Sequence, residues 1–291
     1  PVSALTINDN QLKVTVTPGD AVGKPATVVL DPAVPYYTLE ISVTTGAAKS
    51  GSAVQMERMP GSNVLRIYGT IAQDAAPDVE EVAIQDPAEF AAVALKAMLE
   101  ARGIVVTGKA RAKHANVIEA IGFLKEVQEP IPSFVLDPSK GILGCEVVTN
   151  EPLGSAETRV IASHRSVPLK EDVVVTNKVS QNLHAELLLR HLGSVSPSSS
   201  DCKGLIATGA QLVRAFLLNA GVAKDDFIFF DGSGLSGHDL VAPQATVKLL
   251  QYATMQPWFA DWKASLPVGG EDGSLTERFA EPPLAGHVLD R

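Results

Sequence analysis

The chain has 291 residues, 45% of them hydrophobic, 20% charged and 5% aromatic. That balance excludes intrinsic disorder, and 23 Gly with only 2 Cys exclude collagen-like and disulfide-dense chains. Lys plus Arg number 24 against 33 Asp plus Glu, a formal net charge of −9, so the chain has no overall attraction for phosphate backbones or anionic lipid, and nucleic acid is not an expected partner.

The length suits one large domain or two ordinary ones. A membrane-spanning helix needs about 18 successive apolar residues. Apolar runs such as Phe90 to Leu99 are broken by Lys96 and Glu100, so no transmembrane segment is expected. No basic start followed by an apolar stretch marks a signal peptide. The chain begins at Pro1, where translation cannot begin, which points to a processed or excised product. Cys145 and Cys202 read as small buried hydrophobes, or as one bridge in an oxidising compartment.

The first hundred residues read as mostly extended. Lys13-Val14-Thr15-Val16-Thr17 alternates polar and apolar, the period of a half-buried strand, and Pro18-Gly19 ends it. Thr27–Leu30, Thr38–Val43 and Val64–Ile71 are further strands, separated by Gly- and Pro-containing turns. A helix follows from Asp86-Pro87, with Asp86 as N-cap and Pro87 at the first helical position, and Gly103 closes it. Ile104–Thr107 gives a short strand signal.

A Pro- and Gly-rich stretch from Pro130 to Pro152 suggests a boundary, with a β-rich region over 1–150 and a mixed region over 151–291. In the second region Thr158–Ser163 reads as a strand. Val179–Leu192 reads as a helix ended by Gly193, with Leu183, Leu187, Leu188 and His191 on one face. Leu205–Ala220 is a helix closed by Gly221, Phe227–Phe230 a short buried run, and a last helix starts near Pro243 and ends before Pro257.

None of the six histidines forms a metal-binding motif, and no cysteine pair has zinc spacing, so no metal or other cofactor is expected. His184 and His191 read as solvated or boundary residues. Gly232-Ser233-Gly234-Leu235-Ser236-Gly237 fits G-x-G-x-x-G, but the acidic residue and strand–helix context of a dinucleotide site are missing.

Ser180-Gln181-Asn182 places a hydroxyl and a carboxamide two residues apart at a helix entrance. Penicillin-recognising acyl-transfer enzymes combine such a Ser-x-Asn element with a Ser-x-x-Lys nucleophile and a Lys-Thr-Gly strand. The neighbouring segments strengthen the comparison. Ser166-Val167-Pro168-Leu169, Thr176-Asn177-Lys178-Val179-Ser180-Gln181-Asn182-Leu183, Asp231-Gly232-Ser233-Gly234-Leu235-Ser236, Ser265-Leu266-Pro267-Val268-Gly269-Gly270 and Asp272-Gly273-Ser274-Leu275 occur in order. Together they resemble the D-alanyl-D-alanine carboxypeptidase family, the class C low-molecular-mass penicillin-binding proteins, over nearly the whole chain.

That resemblance implies an α/β fold, part of a serine β-lactamase/transpeptidase-like domain with a β-rich inserted accessory region. It implies D-Ala-D-Ala carboxypeptidase or endopeptidase activity on peptidoglycan stem peptides, reaction with β-lactams, and a periplasmic or cell-envelope location. Ser180 and Asn182 take the catalytic positions, and Lys178, Asp231, Ser233, Gly234 and Leu235 border the substrate. From the residues alone, Lys178 is equally a solvated lysine, Asp231 and Ser233 a self-satisfying turn, and Leu235 a core residue. Asp272 and Arg278 could pair, without a site role.

The sequence also departs from the pattern. It has no Lys-Thr-Gly, and its only Ser-x-x-Lys is Ser200-Asp201-Cys202-Lys203, after Ser-x-Asn in a Ser-rich loop and read as coincidence. Arg291 falls at or beside the family's Lys-Thr-Gly lysine. An excised middle segment, inactive alone, is expected. A degenerate relative and a non-catalytic wall-binding or scaffold module are the alternatives.

Overall fold

The computed structural model describes residues 2–114, 162–194 and 205–289. Two compact units are present, Pro1–Ala115 and Asn116–Arg291. The boundary expected near residue 150 lies outside the described residues, as do Cys145, Cys202, Ser200 and Arg291.

The first unit holds six strands and a helix. They are β1 (Gln11–Thr17), β2 (Thr27–Asp31), β3 (Thr38–Gly46), β4 (Ala53–Glu57), β5 (Val64–Ala72), β6 (Asp78–Ala83) and α1 (Pro87–Glu100). β1 lies between β2 and β6 in one antiparallel sheet, with Val14 opposite Leu30 and Glu80. In the second sheet β5 is central, parallel to β3 and antiparallel to β4. The alternation of β1 buries Leu12, Val14 and Val16. Val14 and Val16 share one core with Val43, Leu65, Ile67 and Ile71 of the other sheet. Each such side chain contributes roughly 1.5–3 kcal/mol by leaving water.

Helix α1 begins as its sequence dictates. The Asp86 carboxylate accepts the Ala88 and Glu89 amides, each at 3.1 Å, satisfying donors the first turn leaves open. Phe90 is fully buried with Leu12, Tyr36 and Ile84, and meets the Tyr36 ring edge-on at 5.4 Å. Beyond α1, the strand expected over Ile104–Thr107 is absent. That segment is irregular and Val105 is 85% exposed, so its apolar run has no partner strand in which to pair.

The second unit contains α2 (Leu169–Lys178), α3 (Asn182–Ser194), α4 (Leu205–Asn219), β7 (Phe227–Ile228), β8 (Leu240–Val241), α5 (Pro243–Thr254), α6 (Phe259–Ser265) and a 3-10 turn at Gly273–Leu275. β7 and β8 pair antiparallel. α2 packs on α6, and α3 packs on α4.

Several expectations are corrected here. The helix expected from Val179 begins only at Asn182, because Ser180 turns left-handed in the break at 179–181 that separates it from α2. Gly193 does not end α3; it is buried within it. Leu189 is the buried leucine of that helix, whereas His191 is exposed. Only Phe227 is buried in the Phe227–Phe230 run. Of the expected strand Thr158–Ser163, residues 158–161 lie outside the described residues, and 162 and 163 are irregular. The architecture is mixed α/β, β-rich first and helix-rich second. Among the described residues no helix is long and apolar enough to cross a membrane.

Candidate active site

The Ser-x-Asn segment forms an elbow between α2 and α3. Gln181 N–H donates to Thr176 O at 3.0 Å, and Val179 N–H to Val175 O at 3.3 Å. Ser180 lies between these donors with φ 59°. The long reach from Gln181 to Thr176 is the closing bond of a helix end whose next residue is left-handed, the position glycine usually fills. A side chain there costs roughly 1–2 kcal/mol through contact of Cβ with the backbone. Ser180 is exposed, and Asn182, the first residue of α3, is half-buried. Among the described residues neither side chain is engaged in a hydrogen bond.

The end of α2 is tied to the segment around Ser265–Gly273. Asn177 Nδ2 donates to Ser265 Oγ at 2.7 Å, and that hydroxyl donates to Trp262 O at 2.6 Å. The Lys178 ammonium donates to Leu266 O and to Asp272 Oδ2, both at 2.6 Å. Asp272 Oδ1 accepts the Val268 amide at 2.9 Å. The Lys178 ammonium and the Val268 amide hold the Asp272 carboxyl below the usual carboxylate range. Gly273, at φ 57°, lies so close to Lys178 that a Cβ would overlap its carbonyl oxygen. Across the elbow, His184 Nδ1 and Asp172 Oδ1 are 2.7 Å apart, so His184 is a half-buried boundary residue with a partner.

Asp272 is a residue that sequence reasoning named without giving it a site role. Its partner is Lys178 and not Arg278, whose guanidinium lies 5.2 Å from the centre of the Phe279 ring. The signal available was Asp-Gly-Ser, which occurs twice after Ser-x-Asn, at Asp231–Ser233 and Asp272–Ser274; the pairing itself spans too much chain to be read from spacing.

The loop between β7 and β8 carries Asp231-Gly232-Ser233-Gly234-Leu235-Ser236. Asp231 accepts the Gly234 amide at 2.5 Å and the Ser236 amide at 2.7 Å, while Ser233 Oγ accepts the Leu235 amide at 3.4 Å. These side chains therefore shape their own turn. Leu235 is 73% exposed and fills no core. Because the loop joins two antiparallel strands and opens no helix, its glycines do not form a dinucleotide cradle.

This loop is docked on α3. Gly232 N–H donates to Glu186 Oε1 at 3.0 Å, and a Cβ on Gly232 would overlap the Ala185 carbonyl oxygen. Asp239 accepts the Phe230 amide at 2.7 Å. Burial raises the Asp239 carboxyl above its ordinary range, and the neighbouring Asp231 carboxylate adds to this, although the Phe230 amide opposes it.

A cavity of about 690 Å³ runs along α3 and α4, walled by Leu188, Leu189, Val213, Leu217, Phe227 and Phe229. Thr176 and Asn177 from the end of α2, and Asp231, Gly232 and Gly234 from the loop, reach the same cavity. Lys178, Ser180, Asn182, Ser233 and Leu235 do not line it. The structure thus brings the Ser-x-Asn elbow and the loop to opposite ends of one helix turn's length of α3. Among the described residues no group of three or more His, Cys, Asp or Glu side chains could hold a metal ion.

With this geometry in place, comparison with known proteins is informative. The profile of the D-Ala-D-Ala carboxypeptidase 3 (S13) family matches residues 1–134 and 141–290. The chain is 31% identical over 298 aligned positions to a D-alanyl-D-alanine carboxypeptidase of Actinomadura sp., covering 99% of this chain and 48% of that protein. It is 22% identical to penicillin-sensitive carboxypeptidase A of Dictyostelium discoideum, over 98% of this chain and 48% of that one. The chain therefore spans about half the length of these relatives. The fold resembles crystalline penicillin binding protein 4 of Haemophilus influenzae, with a TM-score of 0.66, 20% identity, and coverage of 99% of this chain and 55% of that one. A second structure of that protein, complexed with a β-lactam, gives a TM-score of 0.63 at 21% identity, covering 99% of this chain and 57% of that one. Matched by the family profile over nearly its whole length, the chain belongs to the D-Ala-D-Ala carboxypeptidase 3 (S13) family.

Proposed function

We propose that this chain supplies the Ser-x-Asn portion of a serine-type D-Ala-D-Ala carboxypeptidase or endopeptidase site acting on peptidoglycan peptides in the periplasm or cell envelope. The observation that carries the reading is Ser180 itself: an exposed hydroxyl kept at a left-handed position where the backbone favours glycine. In this reading the nucleophilic serine and its lysine stand on a Ser-x-x-Lys element outside this sequence. Ser180 passes a proton between that lysine and the departing D-alanine amine. The Asn182 carboxamide, at the first position of α3, holds the amide of the acylated peptide. Lys178 and the Asp231–Leu235 loop, with Ser233 and Gly234, flank the substrate.

The same reading makes the chain alone inactive, because acyl transfer needs a nucleophile and a carboxylate-binding strand as well as a relay. Intact-mass spectrometry after incubation with benzylpenicillin tests it. The expected result is an unchanged mass. A stoichiometric gain mapped to any serine of this chain, Ser200 included, contradicts it.

A further inference from the structure

We propose that Lys178 and Asp272 form a positioning pair that fixes the left-handed turn at Ser180; the proposal rests on the functional reading of Ser180 given above. Three contacts converge on the last turn of α2. The Lys178 ammonium uses two of its three donors on Leu266 O and Asp272 Oδ2. Asp272 is itself oriented by the Val268 amide at its other oxygen. Gly273 brings its backbone against the Lys178 carbonyl, an approach any side chain would block.

Ser180 follows two residues later, between Val179 and Gln181, whose amides tie the elbow back to Val175 O and Thr176 O. A strained φ of this kind persists only where its surroundings over-determine it. On the α3 side the elbow is held by the Asp172–His184 contact. On the α2 side the partly buried ion pair supplies the restraint: the Lys178 side chain is 19% exposed and that of Asp272 45%. Lys178 thus acts on the relay hydroxyl by locking the helix end from which Ser180 turns. Asp272, from a segment 94 residues further along, is the counter-ion that makes the lock.

The test is carried out on this chain by amide hydrogen exchange, with the backbone coupling and carbon shifts of Ser180 as the reporter of its φ. Asp272→Asn and Lys178→Met are expected to lower protection of the Val179–Leu183 amides about tenfold, the loss of one charge-assisted bond. The left-handed signature of Ser180 averages out with it. Lys178→Arg is expected to restore both, since it keeps the charge and the donors. Protection in α4 and in the first unit stays at the wild-type level. Equal loss across the whole second unit would assign the pair a general folding role and overturn the proposal. An unchanged Ser180 signature in both variants would also overturn it. Ser180→Ala separates the two ideas: the turn remains protected, so a failure of the proton-relay reading leaves this measurement standing, and the reverse.

Discussion

The amide of Gln181 donates to the carbonyl of Thr176 at 3.0 Å, and the chain between them turns left-handed at Ser180. The bond closes α2 and sets the direction in which α3 departs. It also puts a serine where a glycine would be less strained. Ser180→Gly is therefore expected to stabilise the second unit by about 1 kcal/mol, read as a raised urea midpoint of the helical signal. Ser180→Ala keeps the Cβ and is expected to leave the midpoint near the wild-type value. A lower midpoint for the glycine variant would show that the serine is not strained.

Asp272→Asn is expected to lower the thermal midpoint at neutral pH. The sign follows from the direction of the carboxyl's shift: its folded value is held below the ordinary one, first by Lys178 and then by the Val268 amide. Its contribution is present above the ordinary carboxylate range and is lost as pH falls through the folded value. The difference between wild type and variant is therefore expected to narrow as pH falls below the ordinary carboxylate range. A gap that persists at acid pH contradicts the ion pair as its source.

Asp239 has the opposite sign. Burial first, then the nearby Asp231 carboxylate, raise its folded value. The folded state binds the proton more tightly, so stability falls as pH rises from the ordinary carboxylate range through the folded value. Asp239→Asn removes the charge but keeps an acceptor for the Phe230 amide. A higher thermal midpoint at neutral pH is expected, with the advantage fading toward about pH 4.

Gly232→Ala tests the docking of the loop on α3. A methyl group at this position meets the Ala185 carbonyl oxygen, which is backbone and cannot swing aside. The Gly232–Glu186 bond must then lengthen or break. The expected cost is about 1–3 kcal/mol in chemical denaturation, the usual range for overpacking a tight contact.

How far the sequence could be read depends on whether a local signal exists. β1, α1, α4 and α5 were legible because each has a period and a punctuation mark: alternation in Lys13–Thr17, the Asp86-Pro87 cap, Gly221, Pro243. α2 was not. It has no N-cap side chain, and Val173-Val174-Val175-Thr176 is a β-branched run that disfavours helix on its own. Its helical state comes from packing on α6, a partner far along the chain. The break at Ser180 was hidden for a related reason: no glycine marks it. The short strands β4 and β6 were not singled out in the sequence and are defined by the neighbours they pair with.

The residue types of the site were legible and their arrangement was not. Ser180 and Asn182 stand out by spacing, and Asp231 and Ser233 by their turn chemistry. The partnership of Lys178 with Asp272 depends on how the second unit closes on itself, which no local pattern encodes.

The most direct test of the account is an NMR titration of this chain with a peptide ending in D-Ala-D-Ala. The account predicts weak, saturable shifts of the Ser180, Asn182 and Asp231–Leu235 amides, diminished in Asn182→Ala. Shifts confined to residues 1–115, with the elbow and the loop unmoved, would contradict it and favour a wall-binding role for the first unit.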